Sequence, residues 1–146
     1  MRVRLVAGIR LGQDLPPAET RMRRTVRLEA RQAARRGVVV REGGPADIPA
    51  FFELMGITCQ RQGTSPNPPT EAALLGLWSA FSAKGLARLT IAECDGKATA
   101  GLLTLRFGSR VTQWKKGWNE EHRDRHPNTL LAFECIQWAE QHGADQ

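Results

Sequence analysis

The residues best suited to meet a ligand lie in one run, Arg110-Val-Thr-Gln-Trp-Lys-Lys-Gly-Trp118. Read as a strand, its alternation puts Trp114, Lys116 and Trp118 on one face and Lys115 on the other. Interleaved Trp and Lys can stack on a flat group and pair with phosphate, which suits a nucleotide or an activated acyl donor. The competing reading of the tryptophans is core packing against a helix. His122 and His126 stand four apart with Asp124 between them, a chelating spacing on a helix. Pro127 and the polar run 119–128 argue for a loop instead, so no metal is expected. Cys59, Cys94 and Cys135 fall at apolar positions and no Gly-x-Ser-x-Gly or similar nucleophile setting occurs, so covalent catalysis is not expected. Glu93 and Glu134 are the carboxylates open to a role as base. Neither has a partner legible in the sequence, and a strand-edge or helix-surface carboxylate is the commoner case.

These residues must be held by the stretch Leu86–Trp118, which reads as three β-type runs joined by Asp95-Gly96 and Gly108-Ser109. An Asp-Gly pair between two such runs predicts a type I′ hairpin, because both central residues need positive φ. In the middle run Ala98, Ala100, Leu102, Thr104 and Arg106 share one face by alternation, and Thr99, Gly101, Leu103, Leu105 and Phe107 the other. Both faces carry apolar residues, which predicts a central strand covered by helices on both sides.

The flanking segments read as those helices. Met1–Leu15 offers a short Val/Leu/Ile run, an extended arm or strand. After Pro16-Pro17, Met22, Val26, Ala30 and Ala33 recur at helical spacing, arginines surround them, and Gly37 closes the helix. Val38-Val39-Val40-Arg41 predicts a strand. Ile48, Phe51, Phe52, Met55 and Cys59 form one apolar stripe that ends near Arg61. Thr64–Pro69, with three prolines in six residues, is a stiff loop able to wall a cleft. Thr70 can cap a helix burying Leu74, Leu77, Trp78 and Phe81, and a last helix runs from about Thr129 to His142.

At 146 residues and 41% hydrophobic the chain suits one domain with its own core. Three widely spaced cysteines, no run of eighteen apolar residues and an arginine-rich start without a signal-peptide core predict a reducing, cytoplasmic setting without a membrane span. The net charge of +6 is concentrated: residues 1–41 hold eleven arginines against three carboxylates, residues 42–146 ten Lys/Arg against twelve. Such an arm is either a solvated helix face or a surface for a polyanion such as RNA.

The order helix, strand, two helices, antiparallel meander, helix resembles the start of the GNAT acyltransferase fold, an α/β (α+β) architecture. More closely it resembles the FemAB-like branch, the peptidoglycan-bridge aminoacyltransferases and their acetyltransferase-like relatives. The residues that carry the resemblance are Arg31-Gln-Ala-Ala-Arg-Arg-Gly-Val-Val-Val-Arg41, Phe51-Phe-Glu-Leu-Met55 with Thr58-Cys-Gln-Arg-Gln-Gly63, and Pro127–Gly143. On this reading residues 1–24 are an arm and helix start, and residues 25–146 a partial GNAT-like domain, incomplete at its C-terminus. The glycine-containing pyrophosphate loop of acetyl-CoA-dependent members is absent from Arg123-Asp-Arg-His-Pro-Asn128, which favours the FemAB-like branch.

The resemblance implies transfer of an acyl or aminoacyl group from acyl-CoA or aminoacyl-tRNA to an amine, in a cell-wall or polysaccharide precursor, with no permanently bound cofactor. It implies that Arg61 and the proline loop bind the acceptor, that Lys115 or Lys116 meets phosphate or developing negative charge, and that Asn128 donates a hydrogen bond near the last helix. It also implies an uncovered sheet edge open to self-association, and little transfer by residues 1–146 alone. The alternative from another class is a non-catalytic fragment or interaction module with a basic nucleic-acid-binding helix, tRNA being its expected ligand.

Overall fold

The computed structural model describes residues 8–146. The helices are α1 (Ala18–Arg21), α2 (Arg24–Arg35), α3 (Ile48–Arg61), α4 (Glu71–Ser82) and α5 (Pro127–Gln141), and the strands β1 (Val39–Glu42), β2 (Ala87–Cys94), β3 (Lys97–Phe107) and β4 (Arg110–Trp118). The strands form one antiparallel sheet in the order β1-β2-β3-β4. Asp95 and Gly96 adopt φ of 53° and 77°, as the hairpin signal requires. The segment taken as one helix from Met22 to Ala33 is two, because extended backbone at Met22 separates α1 from α2. The extended arm expected over Met1–Leu15 lies partly outside the described residues. Within them Leu11 is buried, and its N–H donates to the Asp145 carbonyl at 2.8 Å.

Helices cover both faces of the sheet. On one, Ala30 and Ala33 of α2 and Leu130, Leu131 and Cys135 of α5 pack on Ala92, Ala100 and Leu102. On the other, Ile48, Phe51 and Met55 of α3 and Leu74 of α4 pack on Leu89, Ile91 and Leu103. Full burial of a side chain such as Phe51 or Leu103 contributes about 1.5–3 kcal/mol. Phe52, expected in the core beside Phe51, is half-buried at its margin. Of the four residues expected to line α4's buried side, only Leu74 is fully buried. Thr70 caps that helix, its Oγ1 accepting from the Ala73 N–H at 3.1 Å.

Two irregularities shift the strands out of simple alternation. Glu93 pairs with Ala98 while Ala92 pairs with Ala100, which leaves Thr99 as an extra residue, and Ala98 packs toward α3 and α4 whereas Ala100 packs toward α2 and α5. The same happens at Trp114, since Leu103 pairs with Lys115 and Thr104 with Gln113. Trp114 therefore packs with the α3/α4 core and Trp118 with the α2/α5 core. The expectation that both tryptophans share a face is corrected by this second bulge, and that for Ala98 and Ala100 by the first.

Gly101 and Gly117 are cross-strand partners, and they let α3 approach the sheet closely. A Cβ on Gly117 would lie 2.4 Å from the Met55 nitrogen, and one on Gly101 2.5 Å from the Phe51 ring. This contact fixes α3 across β4 and brings its C-terminal end to the end of that strand. Among the described residues β4 has a strand partner only on its β3 side. At its beginning, Asp145 donates to the Ser109 carbonyl at 2.9 Å and the Val111 N–H to the Gln146 carbonyl at 3.0 Å.

Candidate active site

The last residue of β4 joins three elements. The Thr58 hydroxyl on α3 accepts from the Trp118 N–H at 2.9 Å, and Arg61, one turn on, donates Nη1 to the Trp118 carbonyl at 3.0 Å. The Arg61 guanidinium lies over the Trp118 ring, 4.5 Å from its centre, and its Nε is 3.8 Å from a Glu120 carboxylate oxygen. A helix spacing of three residues, Thr58 to Arg61, thus clamps the strand end by its backbone and its ring together.

On the other side of Trp118 the chain turns through Arg123–Arg125 and enters α5. His126 takes φ 55° and ψ 47° just before the helix, and Pro127 occupies its first turn, where the lack of an N–H does no harm. Arg125 pairs with Asp95 at 3.3 Å and Arg36 donates to the Asp124 carbonyl at 2.9 Å, so the turn is tied to the first hairpin and to the end of α2. A cavity of about 170 Å³ opens here, lined by Trp118, Arg123, His126, Pro127, Asn128 and Thr129. Asn128 Oδ1 is buried with no hydrogen-bond partner among the described residues. His126 Nδ1 lies 3.9 Å from Glu29, and the Thr129 hydroxyl donates to the same carboxylate at 3.3 Å. The start of a fifteen-residue helix carries partial positive charge and free N–H groups, and with Arg123 and His126 beside it the cavity suits an anionic group.

Of the residues singled out in the sequence, Arg61 and Asn128 thus meet around Trp118. Trp114 and Lys115 form a separate pair, with the ammonium 4.9 Å from the ring centre. Lys116 pairs in register with Leu102, is exposed, and faces the side opposite Lys115. Glu93 is bonded to Arg41, which also holds Asp47 through contacts of 2.7 and 3.0 Å. That guanidinium, with the Gly44 N–H, keeps the Asp47 carboxyl below the usual carboxylate range. Glu134 is exposed on α5. Cys94 and Cys135 are buried core residues, and burial pushes the Cys135 thiol up, away from the thiolate a nucleophile needs. The sequence offers His126 only as half of a metal-chelating pair and does not mark Arg123 or Thr129 as ligand-binding, because a polar loop gives no periodic signal. The sequence mark that could have found them is Pro127, which announces a helix start directly after two basic residues.

No helix among the described residues is long and apolar enough to cross a membrane. No curated protein sequence matches the chain. Among solved structures, FemX superposes with a TM-score of 0.80 at 18% identity, covering 87% of this chain and 48% of FemX. The chain spans about half the length of that protein. A predicted acetyltransferase with acetyl-CoA from Clostridium acetobutylicum gives a TM-score of 0.56 at 15% identity, with 73% of this chain and 76% of that one covered. A GNAT family acetyltransferase from Staphylococcus aureus gives 0.55 at 10% identity, with 74% and 82% covered. At these identities the likeness is one of fold, and it bears out the GNAT-like architecture. Residues 20–146 match the family model of the acetyltransferase (GNAT) domain, and the chain belongs to that family.

Proposed function

We propose that this chain supplies the donor-binding face of an N-acyltransferase that moves an acyl or aminoacyl group from an activated donor to an amine. The observation that carries the reading is the cavity where β4 ends and α5 begins, lined by Trp118, Arg123, His126 and Asn128. A phosphate-bearing donor, acyl-CoA or aminoacyl-tRNA, fits the charge of that helix start, and Trp118, backed by Arg61, offers a ring to stack on. Asn128 Oδ1, unpartnered among the described residues, would accept from a donor or acceptor N–H. Lys115 and Lys116, on opposite faces of β4, offer charge to the phosphates or the developing oxyanion from either side.

In the proposed reaction the amine nitrogen attacks the donor carbonyl, a C–N bond forms and the C–S or C–O bond to the donor breaks. The proton lost by the amine ends on the leaving thiolate or ribose oxygen. Catalysis is then chiefly a matter of orientation, which can lower such a barrier by roughly 7–11 kcal/mol. Glu93 is tied to Arg41, so no step is routed through it. An amine on a cell-wall or polysaccharide precursor is the proposed acceptor class, on the likeness to the FemX fold.

The test is amide formation from radiolabelled acetyl-CoA and from aminoacyl-tRNA with a panel of amines, using the chain and any longer natural form of it. Transfer from one donor that falls at least tenfold with Asn128→Ala or Arg123→Gln supports the reading. No transfer in any form overturns it. A second reading rests on α2, whose surface carries Arg24, Arg31 and Arg35 while Ala30 and Ala33 face the core. If this helix binds tRNA, filter binding should weaken linearly on a logarithmic salt scale, and charge removal there should flatten the slope.

A further inference from the structure

A second, larger cavity of about 310 Å³ lies at the opposite end of the sheet, where β1 has ended and β2 runs on beyond it. From the Ala100–Trp118 pair to Thr104, which lines it, is four residues along β3, roughly 14 Å. Its walls bring together two arginines and two tryptophans: Arg88 and Arg106 from neighbouring strands, Trp78 from α4 and Trp138 from α5. Arg106 is committed, donating Nη2 to the His142 carbonyl at 2.7 Å and Nε to the Gly108 carbonyl at 3.1 Å. Arg88 has no hydrogen bond or ion pair from its side chain among the described residues, yet its guanidinium is held in place, 4.7 Å from the centre of the Trp138 ring. His142 stacks on the same ring with centroids 4.4 Å apart, which fixes the ring in turn. The Trp78 Nε1 is buried without an acceptor among the described residues. Glu42 contributes one opposing carboxylate at the rim, so the cationic groups outnumber it.

We infer that this cavity is a binding site for a small monocarboxylate with a flat apolar body, its carboxylate meeting Arg88 and its body lying between Trp78 and Trp138. A planar guanidinium that is stacked but unpaired keeps its donors pre-aimed for a two-oxygen acceptor. A volume of this size stands at the lower end of ligand pockets and has room for a ring-sized molecule. Nothing in the inference depends on the acyl-donor reading, because the two cavities share no lining residue.

Benzoate is a suitable probe, with benzyl alcohol as its neutral counterpart, and the indole N–H resonances of a 15N-labelled chain are the readout. Benzoate should shift the Trp78 and Trp138 indoles saturably and leave that of Trp118 in place, and benzyl alcohol should bind at least tenfold more weakly. Arg88→Gln should weaken benzoate at least tenfold, Arg88→Lys less, and Arg110→Gln, outside the cavity, not at all. Equal binding of benzoate and benzyl alcohol, or no shift of either indole up to about 50 mM benzoate, would overturn the inference even if Arg88→Gln fails to fold. So would unchanged affinity in a folded Arg88→Gln.

Discussion

Single residues at the end of β4 do two things at once. Arg61 was read as an acceptor-binding cation, and the structure shows it holding the Trp118 carbonyl and ring, so its role in the proposed site passes through Trp118. Neither partner's identity could be foreseen, since Thr58, Arg61 and Trp118 meet only because α3 crosses β4 at Gly117. Away from the site, Arg41 links Asp47 and Glu93 and pins β1 to the turn before α3. Asp47 has a depressed carboxyl pKa in the folded chain, so its stabilisation is present above the unfolded value and is lost as pH falls through the lower folded one. Arg41 is 41% exposed, and solvent screening keeps the contribution near 1 kcal/mol. Asp47→Asn should therefore lower stability by about that amount at pH 7, and the gap from wild type should narrow as pH falls below the usual carboxylate range. Denaturant melts across a pH series from neutral into acid measure it, and a gap that stays constant across the series would contradict the assignment.

At the scale of elements, much of the fold was legible because its signals are local. Asp95-Gly96 specified a hairpin, Thr70 a helix cap and Gly37 a helix end, each by backbone chemistry that does not wait on tertiary structure. The bulges at Thr99 and Trp114 were not legible, since an extra residue in one strand appears only when its partner's register is known. That is why Trp114 and Trp118 were placed on one face and lie on two. The break at Met22 was missed for a similar reason: the apolar spacing runs through it, while the backbone does not. The close crossing of α3 and β4 gives a sharp prediction. Gly117→Ala places a carbon against the α3 backbone, which has little room to yield, and should cost about 3 kcal/mol or more. Gly56→Ala meets no atom within 4 Å and sits inside α3, so it should gain about 0.5–1 kcal/mol. Thermal melts should move the two variants in opposite directions, and a neutral Gly117→Ala would mean that α3 sits farther from the sheet.

For the whole molecule, helices on both faces leave the sheet's edges as its unfinished surface. β4 carries the candidate site at its end and has a strand partner only on its β3 side among the described residues, so its outer edge can pair with another chain. Sedimentation of the 146-residue chain should show association that grows with concentration, and a constant monomer value across that range would contradict it. The central claim is that an activated acyl donor binds where β4 ends and α5 begins. Titrating the 15N-labelled chain with acetyl-CoA and with an aminoacyl-tRNA, while following the four tryptophan indoles, tests it most directly. The account predicts that one donor moves the Trp118 resonance, leaves Trp78 and Trp138 in place, and loses at least tenfold in affinity with Arg123→Gln. A Trp118 resonance that responds to neither donor, or a response indifferent to Arg123→Gln, would contradict it.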